Sequence, residues 1–388
     1  MREKNLPGIA YLSLITLPSV LLFSLALILF SLLIFTYLIT VIVLFPVFYS
    51  VIYFLYSSRT DEDEIHYAKT NDGWNLALHR YKPNLPSKHY PVIFLHGIFV
   101  NRYSVDLDRE HSMAAYLQRL GYDVFVPDLR AKGKSFFQNK KAPEYSFDDL
   151  AREDGPSIIK AVKILTGEKK VHWIGHSMGG MIGYSAAANP VCAKSIQSLV
   201  TVSAPGKSDF IRNGPWYSFI RYKFFVKFFN LKILAKLAIP FTGIADLPPE
   251  NFIYSRENLS ANTMRKLKMN AVENTSPLML TQLASWIKTG KEISLDGKYN
   301  YAETFKKIKC PSLFLGGMKD QIANPAGVVH AYQDCGSRNK KLILYGKNHN
   351  GKSDFCHMGM IMGRKAPDEV FPEILKWLNQ HDKKGKTK

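Results

Sequence analysis

The residues best suited to chemistry stand at Gly175-His176-Ser177-Met178-Gly179, where a serine has a glycine two positions away on either side. An apolar run, VHWIG at 171–175, leads into them and an alanine-rich stretch follows. On so sharp a strand-to-helix turn the serine hydroxyl is lifted above the sheet edge, and the glycines are required because a Cβ would strike neighbouring backbone. The chemistry is nucleophilic attack on a carbonyl. The following helix aims its amino end at the reacting atoms, so the Met178 amide and the helix dipole can hold the negative oxygen that the attack creates. A second donor is expected after another buried run: PVIFLH at 91–96 leads into Gly97 and the amide of Ile98, with Phe99 as the alternative.

Those groups need a scaffold whose strand ends meet. IHYAKT (65–70) and WNLALHRY (74–81) alternate as a hairpin around Asn71-Asp72-Gly73, and PVIFLH reads as a short buried strand. Helices and strands then take turns. MAAYLQRLG is a helix closed by Gly121, YDVFVPD a strand, GPSIIKAVKILTG a helix, and VHWIG and SLVTVSAP are strands. CPSLFLGG and KLILYG follow as two more strands, with PDEVFPEILKWLNQH as the last helix. This alternation predicts an α/β fold with a mostly parallel sheet covered on both faces.

Five segments in order resemble the α/β-hydrolase fold family, closest to its acid-lipase-like and esterase-like serine hydrolases, from about Glu64 to Asn379. They are PVIFLHG with NRYSVD, GYDVFVPDLRAKGKS, VHWIGHSMGG, LFLGGMKDQIANP and CHMGMIMGRKAPDEVFPEILKWL. The resemblance implies a carboxylate after a late strand, Asp320 in Gly317-Met318-Lys319-Asp320, which would orient a histidine and stabilise its imidazolium. It also implies a histidine further along. His330 lies in the helical PAGVVHAYQ and reads as a packing residue, His349 follows KLILYG closely, and His357 stands nine residues before Ala366. That last spacing is similar to the acid-lipase pattern and favours His357. Gly359, where family members often carry Asp, keeps His349 open. Ala131 replaces the family's glycine in DLRAKGKS and is expected to alter only a loop conformation.

The implied activity is hydrolysis of carboxylic esters, lipid-like in their acyl group, by a Ser-His-Asp triad and an acyl-enzyme. An acyltransferase using the same triad, and an inactive hydrolase-fold membrane scaffold, are the alternatives. No cofactor or metal is called for, since there is no glycine-rich phosphate loop or dinucleotide fingerprint. The four cysteines show neither CxxC nor metal-ligand spacing.

From Asn5 to Ser58 there is no Lys, Arg, His, Asp or Glu. Such a run is too long for a single span of about 20 residues and too long for a cleaved signal peptide. It predicts a transmembrane hairpin, with spans near Ile9–Leu29 and Leu38–Tyr56 and a turn at Phe35, Thr36 and Tyr37. One span plus an interfacial helix is the rival reading. A hairpin returns both flanks to one side, and Arg2, Lys4 and Arg59 then favour the cytoplasmic face. Beside such an anchor the net charge of +19 reads as attraction to anionic lipid rather than to nucleic acid, and the lysines of the tail, Lys383, Lys384, Lys386 and Lys388, add to it. Between Pro205 and Pro311 lie roughly a hundred residues, too many for a plain crossover. A helical cap is therefore expected at 206–305, inserted into a core made of 59–205 and 306–388, with 1–58 as the anchor. The first part of the cap, 211–245, carries Arg212, Arg221, Lys223, Lys227, Lys232 and Lys236 and no acidic residue. It reads equally as a segment dipping into a bilayer surface and as a helix packed on the core with its lysines turned outward.

Overall fold

The apolar runs become strands of one sheet in this computed structural model, which describes residues 8–59, 61–207, 230–244 and 253–383, the side chains of 8–17 aside. The strands are β1 (Glu64–Lys69), β2 (Trp74–Tyr81), β3 (Val92–Leu95), β4 (Val124–Pro127), β5 (Phe136–Phe137), β6 (Val171–His176), β7 (Ile196–Val202), β8 (Ser312–Gly317) and β9 (Lys340–Tyr345). They run in the order β1-β2-β4-β3-β6-β7-β8-β9, with the two-residue β5 paired to β2. β1 and β2 form the expected antiparallel hairpin, and β2 is also antiparallel to β4. From β4 through β9 every neighbour is parallel. β3, β4, β6 and β8 are buried along their whole length, which is why they read as continuous apolar runs instead of alternating ones.

Two apolar layers flank the sheet. One gathers Trp173, Ile182, Leu199, Phe314 and Trp286; the other gathers Phe94, Val124, Ile174, Leu313, Phe371 and Trp377. The last predicted helix is divided, Ala366–Glu369 and then Phe371–Gln380, with Pro372 in the first turn of the second piece. Pro cannot donate to the preceding turn but suits a helix start.

Residues 1–56 form a separate unit from 57–388, and here the hairpin expectation is corrected. Gly8–Tyr56 is one uninterrupted α-helix of 49 residues. The segment proposed as a turn has no glycine or proline to break it. The hydroxyls there are satisfied within the helix: Thr36 Oγ1 donates to Leu32 O at 2.7 Å and, just beyond the segment, Thr40 Oγ1 to Thr36 O at 2.8 Å. At 1.5 Å per residue the helix is roughly 74 Å long, more than twice the ~30 Å of a hydrocarbon core. Residues Pro18–Tyr56 are long and apolar enough to cross a membrane. For a helix that crosses once, the two flanks face opposite sides, so the same-side argument for a cytoplasmic domain does not carry over.

Between β7 and β8 the described residues are mainly helical: Leu231–Leu237, Ala261–Asn270 and Pro277–Thr289. Of the basic residues noted at 211–245, Arg212, Arg221, Lys223 and Lys227 lie outside the described residues, as do Lys384, Lys386 and Lys388 of the tail. Lys232 Nζ is 3.0 and 3.1 Å from the two carboxylate oxygens of Glu273, so this lysine is engaged within the protein.

Ala131 holds φ +56°, the left-handed region that its Cβ disfavours. Ala131→Gly is therefore expected to stabilise the protein by roughly 0.5–1 kcal/mol, the relief of strain less the entropy that glycine adds to the unfolded chain. A rise in the urea midpoint at unchanged slope would show it; a fall would contradict it.

Candidate active site

Ser177, Asp320 and the Gly97–Ile98 peptide follow the carboxyl ends of the parallel strands β6, β8 and β3, where ligands bind in open α/β sheets. Ser177 follows β6 with φ 55° and ψ −123°, a strained conformation for a residue with a Cβ. Its amide donates to Val202 O at 2.9 Å, which ties the turn to β7. The flanking glycines have the expected cause. A Cβ on Gly175 would lie 2.3 Å from Gly179 O, and one on Gly179 would lie 2.4 Å from Leu95 O and 2.6 Å from His96 O. Strand, elbow and the end of β3 are therefore in backbone contact.

The helix Met178–Ala188 starts directly after the serine and is almost wholly buried. As its first residue, Met178 has an amide with no partner inside the helix, and the helix dipole favours negative charge there. Gly97 runs alongside: a Cβ there would lie 3.1 Å from Ser177 Cβ and 3.5 Å from Ser177 Oγ. The Gly97–Ile98 peptide is held by His96. Leu129 N donates to His96 Nε2 at 3.2 Å, so the proton sits on Nδ1, which donates to Gly97 O at 2.8 Å. Because a peptide is planar, fixing the Gly97 carbonyl also fixes the Ile98 N–H that points the opposite way. Phe99, the alternative donor, has φ +59° and its carbonyl accepts from Glu273 N at 2.7 Å.

Burial pushes the His96 imidazole down to about 4 from its ordinary 6.5. With the folded value below the unfolded one, the stability it contributes is complete above pH 6.5 and is lost as pH falls toward 4. The loss amounts to about 3 kcal/mol. We expect urea midpoints to fall across that window and to fall less in His96→Asn; an equal slope in both proteins would contradict the assignment.

Asp320 and His357 are brought together. Asp320 follows β8, and its Oδ1 accepts from Ile322 N at 2.9 Å and Ala323 N at 2.8 Å. His357 Nδ1 lies 2.9 Å from Asp320 Oδ2 and 3.1 Å from Oδ1. A carboxylate accepts, so Nδ1 carries the proton and Nε2 presents its lone pair. Both side chains are buried. His349 is placed elsewhere: it is exposed, and its Nδ1 contacts Asn348 O at 2.6 Å. His330 lies 3.4 Å from Asp334 on its own helix.

His176 is a contributor that the motif did not reveal, since its position in G-x-S-x-G is unspecified. Its ring packs on that of His357 with centroids 4.7 Å apart, which brings His357 beside the residue preceding Ser177. His176 Nε2 is 3.2 Å from His357 O, and because a carbonyl accepts, Nε2 is the protonated nitrogen. Burial first, and the neighbouring His357 second, hold the His176 imidazole well below its usual range. It stays neutral and pins the backbone of the residue that faces Asp320. Among the described residues no group of three His, Cys, Asp or Glu could hold a metal ion.

The pattern of the alpha/beta hydrolase fold matches residues 90–351. Gastric triacylglycerol lipase of Bos taurus is 31% identical over 368 residues, covering 83% of this chain and 89% of the relative. The Homo sapiens gastric triacylglycerol lipase is 24% identical and covers 81% and 87%. Among solved structures, a thermophilic esterase from Thermogutta terrifontis superposes with a TM-score of 0.56 at 17% identity, covering 82% of this chain and 99% of the esterase.

Proposed function

The chain is a lipase- and esterase-like member of the α/β-hydrolase fold family, and from that premise we propose that it is a membrane-anchored serine hydrolase that cleaves carboxylic esters of apolar, lipid-like acyl groups. The observation that carries the reading is the buried His357–Asp320 pair seated against the nucleophile elbow. His357 Nε2 takes the proton as Ser177 Oγ attacks the ester carbonyl. The amides of Met178 and Ile98 hold the resulting oxyanion, and Asp320 offsets the charge of the imidazolium. Collapse breaks the bond to the alkoxy group, which leaves as the alcohol with the proton from His357. Water then attacks the acyl-enzyme, gives a proton to His357, and releases the acid as that proton returns to Ser177.

Relatives named as triacylglycerol lipases support an apolar acyl group. The uncharged helix Gly8–Tyr56 supports a membrane anchor. On Leu231–Leu237 the side chains of Ile233 and Leu234 are exposed, which suits a catalytic domain working at a lipid surface. The test is turnover of p-nitrophenyl esters graded from acetate to laurate, with products of a labelled ester followed in parallel. Activity should rise with acyl length, yield free acid, and be lost in Ser177→Ala. Activity confined to acetate would contradict the lipid-like substrate, and activity surviving in Ser177→Ala would contradict the mechanism.

A further inference from the structure

The loop that carries His357 is held from outside the strand ends, by residues 253–258 of the insertion between β7 and β8. Asn258 is buried. Its Nδ2 donates to Asp354 O, its Oδ1 accepts from Cys356 N at 2.8 Å, and its own carbonyl accepts from Arg364 N at 2.9 Å. Five residues before Asn258, the Ile253 carbonyl accepts from Met358 N at 3.1 Å. The amides on both sides of His357, those of Cys356 and Met358, are thus bonded to one short stretch of the insertion. At the rim, Lys319 Nζ stands 3.6 Å from Glu257 and 3.2 Å from Asp354, which links the same stretch to the residue next to Asp320.

The packing is close enough to exclude a side chain. A Cβ on Gly359 would lie 2.6 Å from Asn258 Oδ1, about the distance separating a carboxylate oxygen from its own Cβ. The Asn258 amide therefore fills the space that a short acidic side chain at 359 would occupy, and its Oδ1 is the acceptor for Cys356 N.

The geometry points to Asn258 as a positioning residue that sets the His357 imidazole for proton exchange with Ser177, so that the base is competent only while the 253–258 segment is docked. This rests on the reading of His357 as the general base. His176 fixes the carbonyl of His357 and Asp320 fixes its Nδ1, but neither restrains the amides on either side of it. Asn258 bonds the amide before it, and Ile253 of the same stretch bonds the amide after it.

The test uses the full chain in detergent and compares wild type with Asn258→Ala, Asn258→Asp and the double variant Asn258→Ala/Gly359→Asp. For each, kcat and KM on the best ester are expressed per site titrated to completion with a fluorophosphonate, which removes any unfolded fraction. Asn258→Ala is expected to lower kcat roughly ten- to hundred-fold, the scale on which small misplacements of a catalytic group act, with KM little changed. The double variant, which returns an acceptor to Cys356 N, should recover much of that loss. Asn258→Asp keeps this acceptor but loses the donor to Asp354 O, and should fall between. If Asn258→Ala yields no titratable protein, Asn258→Asp decides alone. Wild-type kcat per titrated site in the decisive variant overturns the proposal, as does a loss that the double variant leaves untouched. Wild type that resists the probe overturns the triad reading and this inference together; labelled wild type with unaffected Asn258 variants overturns only this one.

Discussion

Replacing His357 with alanine is expected to lower kcat by roughly a million-fold, whereas His349→Ala should leave turnover essentially unchanged. The contrast follows from what each ring touches. His357 Nδ1 is bonded to a buried carboxylate and its ring lies on His176, the residue before Ser177. His349 is exposed on the loop after β9, and its ring Nδ1 contacts its neighbour's carbonyl. Without the imidazole no group is left to take the serine proton, and what remains is the contribution of the oxyanion donors and substrate binding. Steady-state assays on purified variants decide the matter; loss of turnover in His349→Ala alone would transfer the role to that residue.

Asp320→Asn is expected to cost about 10⁴-fold in kcat with the protein still folded. Asp320 Oδ1 accepts from the amides of Ile322 and Ala323, and an asparagine would keep its carbonyl oxygen there. Its NH₂ then faces His357 Nδ1. Two donors cannot share that contact, so the imidazole must move its proton to Nε2, the atom required to be bare for general-base catalysis. Thermal unfolding close to that of wild type, together with the fall in kcat, would separate this tautomer effect from unfolding. Turnover near the wild-type level would contradict it.

How much of this could be read from the sequence depends on how local each determinant is. The elbow was legible because its constraint lies within five residues: two glycines whose Cβ atoms would collide with backbone, and a strand and helix on either side. The parallel strands were legible because burial on both faces leaves runs such as VIFL and SLFLGG. The apolar character of the uncharged N-terminal run was plain, but its path was not. An uncharged run states solubility in lipid, whereas a turn must be forced by breakers, and Phe35-Thr36-Tyr37 has none. The histidine was the hardest. The spacing to Ala366 favours His357, but Gly359 leaves His349 open, because the contact that sets the two apart is with Asp320, 37 residues earlier. The holds on His357 by His176 and Asn258 bridge 181 residues and, through Cys356, 98 residues; His176 fills an unspecified position of its motif and Asn258 belongs to none. At Gly359 a Cβ would lie 2.6 Å from Asn258 Oδ1, a constraint set by a residue about a hundred positions away.

Labelling of the purified full-length protein with a fluorophosphonate, followed by mass spectrometry of its peptides, bears most directly on whether Ser177 is an activated nucleophile. A single adduct on the peptide containing Ser177, absent in Ser177→Ala and much slower to form in His357→Ala, is the result predicted. A wild-type protein that stays unmodified while a known serine hydrolase in the same tube reacts, or an adduct on another serine, would contradict it.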